Sequence, residues 1–192
     1  NESAAFDAAI YSVARYGGKL VAVDGSEERN YGGVDPNRHF AASAGDASAC
    51  RMRRAAPQYV RYVMGHFRGA RHVLSIHNNT RGGGVTVNVN SAKAKGFRAS
   101  GRFSDPDHLV YIASTRPIAQ DRGAAAIRDR LLRAGLNVVH EHVTRTNNDC
   151  SFSNYVTLND RREYYNVEAV HGSRLQRGMV DALLGTLGYR AR

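Results

Sequence analysis

The 192 residues are enough for one domain with a sizeable core, and a composition of 42% hydrophobic and 23% charged residues is typical of a soluble globular protein. No apolar run approaches the roughly 20 residues that a membrane-spanning helix needs, so no membrane span is expected. The formal net charge of +10 favours anionic partners. The Lys and Arg residues are nevertheless spread along the chain without the pattern of a recognition helix, an RNA-binding sheet or a zinc finger, so nucleic acid is not expected as a partner.

The hydrophobic pattern alternates between the helical and the strand period. From the amino end it predicts a helix over 3–16, a strand over 19–23, a helix over 56–67, and strands over 72–76, 85–89 and 108–113. The pattern then predicts a helix over 119–134 and strands over 136–143 and 165–170. Ser173 can cap a last helix, whose apolar side carries Leu175, Met179, Leu183 and Leu187. The longest irregular stretches are 26–50, 90–107 and 144–160. Helices that follow strands throughout predict one α/β domain of three layers, with a mixed, mostly parallel sheet flanked by helices.

The two cysteines, Cys50 and Cys150, lie far apart in the sequence. A zinc knuckle needs close pairs of cysteines, so this arrangement does not predict one. A single disulfide in an exported protein and two buried free thiols are both compatible with the sequence.

Three segments carry residues suited to chemistry at or near the ends of predicted elements. In a polar loop, adjacent Asn37 and Arg38 can hold a carboxylate, the guanidinium by a two-pronged contact and the amide by a further donor. His77 ends an apolar strand, which is a rigid support for an imidazole. Glu168 lies within an apolar strand, where burial without a partner or a metal is costly and raises the pKa of a carboxyl group toward the range of a general base.

Together these segments resemble the zinc carboxypeptidase family, including its branch of amidohydrolases, the succinylglutamate desuccinylases and aspartoacylases, which deacylate N-acyl amino acids. The family loop Gly-Val-Asp-x-Asn-Arg-x-Phe matches residues 33–40, read as Gly-Val-Asp-Pro-Asn-Arg-His-Phe. The resemblance implies that Asn37 and Arg38 bind the substrate carboxylate, that His77 is a zinc ligand and that Glu168 is the general base. The order of the motifs agrees over roughly residues 2–190.

The resemblance also implies further site residues. The family's first two ligands form a His-x-x-Glu motif that immediately precedes a helix, and Glu2 fits its last position. The matching histidine would lie three residues earlier, so we expect the domain to be incomplete at its amino end and to hold zinc weakly or not at all without that histidine. Arg29 is the candidate for polarising the scissile carbonyl, and Asn78 for lining the cleft. Tyr165, with Tyr155 and Tyr164 as alternatives, is the candidate for the phenol that closes over the substrate.

A rival metal site lies at His140 and His142, which fall on one face of a predicted strand at a spacing that can chelate zinc. An edge or solvent-facing strand also explains this alternation. The sequence therefore offers the histidine pair as a weaker alternative to the site around His77.

The resulting hypothesis is a monomeric, zinc-dependent hydrolase that cleaves an amide bond next to a free carboxylate. The first expectation is a carboxypeptidase acting on peptides, including cell-wall peptides, in the periplasm or outside the cell, with the cytoplasm as the alternative compartment. A deacylase of N-acyl amino acids and a metal-free binding module on the same fold are the alternatives.

Overall fold

The computed structural model describes residues 3–22, 35–160, 162–172 and 174–192. Over these residues the chain forms six α-helices and five strands. The helices are α1 Ser3–Tyr16, α2 Ala44–Ala49, α3 Pro57–His66, α4 Arg122–Arg133, α5 Phe152–Asn159 and α6 Gln176–Thr186. The strands are β1 His72–Asn79, β2 Ala94–Phe97, β3 Leu109–Ser114, β4 Val138–His142 and β5 Glu163–Val170.

The five strands form one mixed sheet in the order β1-β5-β3-β4-β2. β1 is parallel to β5 and β3 is parallel to β4, whereas β3 is antiparallel to β5 and β2 is antiparallel to β4. β3 is the central strand, and β5 lies between β1 and β3 with apolar and aromatic residues buried on both of its faces.

Helices cover both faces of the sheet. On one face, the main apolar cluster joins alternate residues of β3, β4 and β5 to Leu131 of α4 and to Met179 and Leu183 of α6. On the other face, a smaller cluster joins Val73 and Tyr164 to residues of α3 and α5. The predicted α/β architecture, a mixed sheet flanked by helices, is therefore confirmed. No helix among the described residues is long and apolar enough to cross a membrane.

Two predicted strands are wrong. Residues 19–22 have no regular structure and are exposed, and Val23 lies outside the described residues. Residues 85–89 alternate like a strand but form a turn, in which Val87 N–H donates to Pro106 O (2.9 Å) and Val89 N–H to Thr86 O (3.2 Å). β2 forms one edge of the sheet instead, and α2, β2 and α5 all lie within stretches predicted to be irregular.

Cys50 and Cys150 form a disulfide. It joins the residue that ends α2 to the segment immediately before α5, which are 100 residues apart in the sequence. The alternative of two free thiols is therefore wrong.

Candidate active site

His77 and Glu168 lie side by side at the carboxyl end of β1 and near that of β5. The two residues are direct register partners in the parallel pair of strands, so their side chains leave the same face of the sheet. Glu168 is only 7% exposed. Asn166, two residues earlier on the same face, donates from Nδ2 to Glu168 Oε1 (2.8 Å). This charge-assisted hydrogen bond offsets part of the cost of burying the carboxylate and fixes one of its oxygens.

Tyr164, Asn166 and Glu168 form a row of polar side chains on one face of β5, called here the polar row. Burial is the main cause that raises the pKa of its phenol, a hydrogen bond with Ser75 opposes that rise, and the charges of Glu168 and Arg38 act in opposite directions. The phenol therefore lies within electrostatic range of both the proposed base and the proposed carboxylate anchor. The structure thus brings Glu168 and Arg38, 130 positions apart in the sequence, to one region on one face of the sheet.

The loop that carries Arg38 is held by its own polar groups and by α5. Asp35 Oδ1 accepts from Asn37 N–H (2.9 Å) and Asp35 O accepts from Arg38 N–H (2.9 Å), which closes a turn of 3₁₀ helix over Pro36–Arg38. Asn37 Oδ1 accepts from Phe152 N–H at the start of α5 (3.0 Å). The guanidinium of Arg38 lies 3.7 Å from Asp149 and remains about half exposed, so it is open to a ligand.

Aromatic packing fixes the same loop from below. Phe40 is buried against Phe152 and Tyr59, with ring centroids 4.9 and 5.2 Å apart. Tyr59 donates from its hydroxyl to Pro36 O (3.0 Å), and Phe40 N–H donates to Cys150 O (2.9 Å). The disulfide therefore lies one backbone hydrogen bond away from the loop, and Arg38 stands on a rigid support.

Asn78 lies on the opposite face of β1 from His77, because neighbouring residues of a strand alternate. Its Oδ1 accepts from Ala5 N–H in the first turn of α1 (3.2 Å), while its Nδ2 is buried without a hydrogen-bond partner among the described residues. Asn78 is thus placed against α1 rather than in the row that contains Glu168. It ties the beginning of α1 to the end of the strand that carries His77.

Tyr165 is also separated from this row. Its side chain belongs to the apolar cluster on the other face, and its hydroxyl donates to Glu163 Oε2 (2.8 Å) at the start of β5. Tyr155 lies in α5, its ring 6.1 Å from that of Phe40. Of the three candidate tyrosines, Tyr164 is the one that shares a strand face with Glu168. Glu2 and Arg29 lie outside the described residues, as do Gly33 and Val34 of the loop motif.

The described residues supply one of the predicted zinc ligands. His77 is an imidazole on a rigid strand end, which suits zinc, but no group of three His, Cys, Asp or Glu side chains able to hold a metal ion occurs in the described part of the chain. The fit to zinc therefore depends on ligands beyond these residues, Glu2 among them.

One histidine of the rival pair, His140, is buried and hydrogen-bonded within the protein. His140 is buried and its Nε2 lies 2.9 Å from Ser114 Oγ. Burial lowers the pKa of His140 to about 4, against an opposing effect of the Asp121 carboxylate. His142 is on the same strand face but only partly buried. Neither residue belongs to a potential three-ligand metal group within the ranges that the structure describes.

Asn166 and Ser75 are site residues that the sequence did not single out. Each lies two positions before a predicted functional residue, Asn166 before Glu168 and Ser75 before His77, and the two are register partners. The signal was present, because polar residues at every second position of an apolar strand share one face.

Searches against family models, curated proteins and solved structures found no match for this chain. Any functional conclusion therefore depends on the geometry of these residues.

Proposed function

We propose that this chain is the catalytic part of a metal-dependent amide hydrolase, a carboxypeptidase that acts on peptides with a free terminal carboxylate. The observation that supports the proposal most directly is that His77 and the buried Glu168 are register partners on one face of the sheet. Tyr164 lies on the same face, and the charge of Arg38 acts on its phenol. Arg38, His77 and Glu168 follow the order of the motifs in the zinc carboxypeptidase resemblance, and Tyr164 is one of the three candidates for its phenol.

Each described residue has a role in this proposal. Arg38 and the amide of Asn37 bind the substrate carboxylate and so determine which bond is cut. Glu168 accepts a proton from the attacking water and delivers it to the leaving amine. Asn166 donates to one oxygen of Glu168 and so helps to orient the carboxylate for this transfer. Tyr164 is buried on the same strand face as Glu168, with its hydroxyl hydrogen-bonded to Ser75, and is the candidate for the phenol of the site.

Zinc held by His77 and Glu2, with the histidine of the motif, would supply Lewis-acid polarisation of the scissile carbonyl. Arg29 is proposed to stabilise negative charge that develops on that oxygen.

The disulfide supports an oxidising compartment for the protein, the periplasm or the extracellular space, because structural disulfides persist there and are rare in the cytosol. We therefore propose that the peptides it cleaves are extracytoplasmic, cell-wall peptides included.

A metal-free binding module is the second candidate. The observation that favours it is the lack of a three-ligand metal group among the described residues. Such a module would keep the carboxylate-binding loop and Glu168 but would neither retain zinc nor catalyse hydrolysis.

The test is metal content together with hydrolysis by the full-length protein. We expect about one zinc per chain, and hydrolysis of blocked dipeptides that is lost on chelation and regained with zinc. The same peptides with an amidated carboxyl terminus should be poor substrates, because Arg38 then lacks its anion. Faster turnover of N-acyl amino acids would favour the deacylase, and a metal-free, inactive protein would favour the binding module.

A further inference from the structure

One long segment of the chain carries positive charge without any acidic residue. The 58 residues from 47 to 104 contain eleven Lys and Arg residues and not one Asp or Glu. This segment contributes α3 and the loop before it, which lie on the same side of the sheet as α5 and the polar row of β5. A stretch without acidic residues cannot neutralise its own cations, so they are available to acidic residues elsewhere in the chain, as in the pairs Arg81–Asp105 and Lys93–Glu141, or to a partner.

Arg61 and Arg68 are the two cations of this segment that line a common cavity. Both side chains are exposed. The ion pairs of Lys and Arg among the described residues involve other cations, namely Arg15, Arg38, Arg81, Lys93, Arg128 and Arg162. Arg61 and Arg68 therefore present guanidinium groups that no carboxylate of the described chain neutralises.

Acidic groups near this cavity are already engaged. The charges of Asp160 and Asp46 reach the phenol of Tyr155, which lines the cavity. Asp46 accepts from the hydroxyl and the backbone N–H of Ser43 in a capping box, and Asp160 is held by the guanidinium of Arg162. The surface around Arg61 and Arg68 thus keeps its positive character.

Two open cavities flank Arg61. The first, of about 320 Å³, has apolar walls from Val60 and Met64, with Arg68 beside them. The second, of about 460 Å³, is lined by Ala55, Ala56 and Pro57 together with Gln58 and Tyr59. Recesses with apolar walls and a few polar groups on either side of an arginine fit the side chains and carboxylates of a peptide better than a sugar-phosphate backbone.

The aromatic residues of α3 do not form a stacking platform for nucleic acid bases. Tyr59 is occupied by Pro36 O and by the rings of His39 and Phe40. Tyr62 is exposed, but the ring of His66 meets it edge-on at 4.9 Å. A single exposed ring is a poor platform for single-stranded nucleic acid, which binds by successive stacking.

We infer that the surface formed by α3, the loop before it and the turn after it, centred on Arg61 and Arg68, binds an acidic peptide. Tyr59 joins this surface to the Pro36–Arg38 turn, so a peptide bound here runs close to the candidate active site. The inference goes beyond the proposed function, because it concerns binding outside the cleft and is measured without turnover.

The experiment measures the fluorescence anisotropy of a short labelled peptide of alternating glutamate and alanine, titrated with the full-length protein. We expect binding that weakens with added salt and weakens about tenfold in the Arg61→Gln/Arg68→Gln variant. The matched control is Arg122→Gln/Arg133→Gln, which removes the same charge from exposed positions of α4 on the other face of the sheet. This control should change the affinity less than about twofold.

Circular dichroism of both variants verifies that they fold. Equal weakening by the two double variants would overturn the inference, because binding would then follow net charge rather than this surface. Tighter, Arg61-dependent binding of a thymidine oligonucleotide of equal charge would also overturn it and indicate a nucleic-acid surface. A full-length protein that binds the acidic peptide through Arg61 and Arg68 but does not hydrolyse blocked dipeptides would contradict the catalytic proposal and support this inference.

Discussion

Asn37 has two separable roles at the atomic level. Its Oδ1 accepts from Phe152 N–H, which satisfies one of the free donors at the start of α5. Its Nδ2 forms no hydrogen bond within the described chain and is the group proposed to bind the substrate carboxylate. One side chain thus connects the stability of α5 to substrate recognition.

Two substitutions at Asn37 separate these roles. Asn37→Ala removes the acceptor, and we expect a loss of about 1 kcal/mol in unfolding free energy. Asn37→Asp keeps an acceptor next to the amino end of a helix and should retain most of the stability. Both variants should raise KM, because both lose the amide donor and the aspartate repels the substrate. Urea unfolding and steady-state kinetics measure the two effects, and equal KM values in Asn37→Asp and the wild type would contradict the binding role.

Asn78 and Tyr165 were predicted to be site residues but lie on the other face of the sheet, because side chains alternate between the two faces of a strand. Asn78 follows His77 by one position and Tyr165 precedes Glu168 by three, and odd separations place a side chain on the other face of a strand. Parity was readable from the sequence. That β1 and β5 are neighbours, with His77 opposite Glu168, was not readable, because pairing between residues 91 positions apart depends on tertiary packing.

Among the secondary-structure elements, long and periodic segments were predictable and short ones were not. α1, α4 and α6 carry apolar stripes over three or more turns, and β5 is a mostly buried strand. α2 has six residues and is defined by its capping box rather than by a stripe. The alternation of residues 85–89 misled the prediction because only Val87 of the valines there is buried.

The disulfide holds together the secondary-structure elements that support the loop of Arg38. It fixes the end of α2 to the segment before α5, next to the backbone contact between Phe40 and Cys150.

Removal of this bridge should loosen the loop that carries Arg38. For Cys50→Ala/Cys150→Ala we expect a loss of about 2–5 kcal/mol in unfolding free energy, because the bridge closes a loop of about 100 residues in the unfolded chain. The denaturant midpoint of the wild type should fall with dithiothreitol, whereas that of the double variant should not. A wild-type midpoint that is insensitive to reduction would contradict this account.

At the scale of the whole molecule, three buried imidazoles contribute to the response to acid. Burial lowers the pKa values of His72, His108 and His140, that of His140 to about 4. In the unfolded chain a histidine has a pKa near 6.5. The unfolded state therefore binds more protons than the folded state between about pH 6.5 and pH 4, and stability falls as the pH falls through this window.

The prediction for His140→Asn is a shallower dependence of the unfolding free energy on pH between about 6.5 and 4, by up to one proton. Above about pH 7.5 the pH dependence of the variant should parallel that of the wild type, because the imidazole is then neutral in both states. Urea midpoints measured across this range test the prediction. An unchanged slope below pH 6.5 would show that His140 does not contribute to the acid response.

The central claim is that Glu168 is the general base of a metal-dependent hydrolase, and Glu168→Gln in the full-length protein tests it most directly. The amide keeps the shape of the side chain but cannot accept the proton, so we expect kcat to fall by about 10²- to 10⁴-fold with zinc content unchanged. Glu163→Gln is the matched control, since Glu163 lies exposed at the other end of β5 and should leave kcat within about twofold. Metal content and hydrolysis of a blocked dipeptide are measured on all three proteins. A Glu168→Gln variant as active as the wild type would contradict the account.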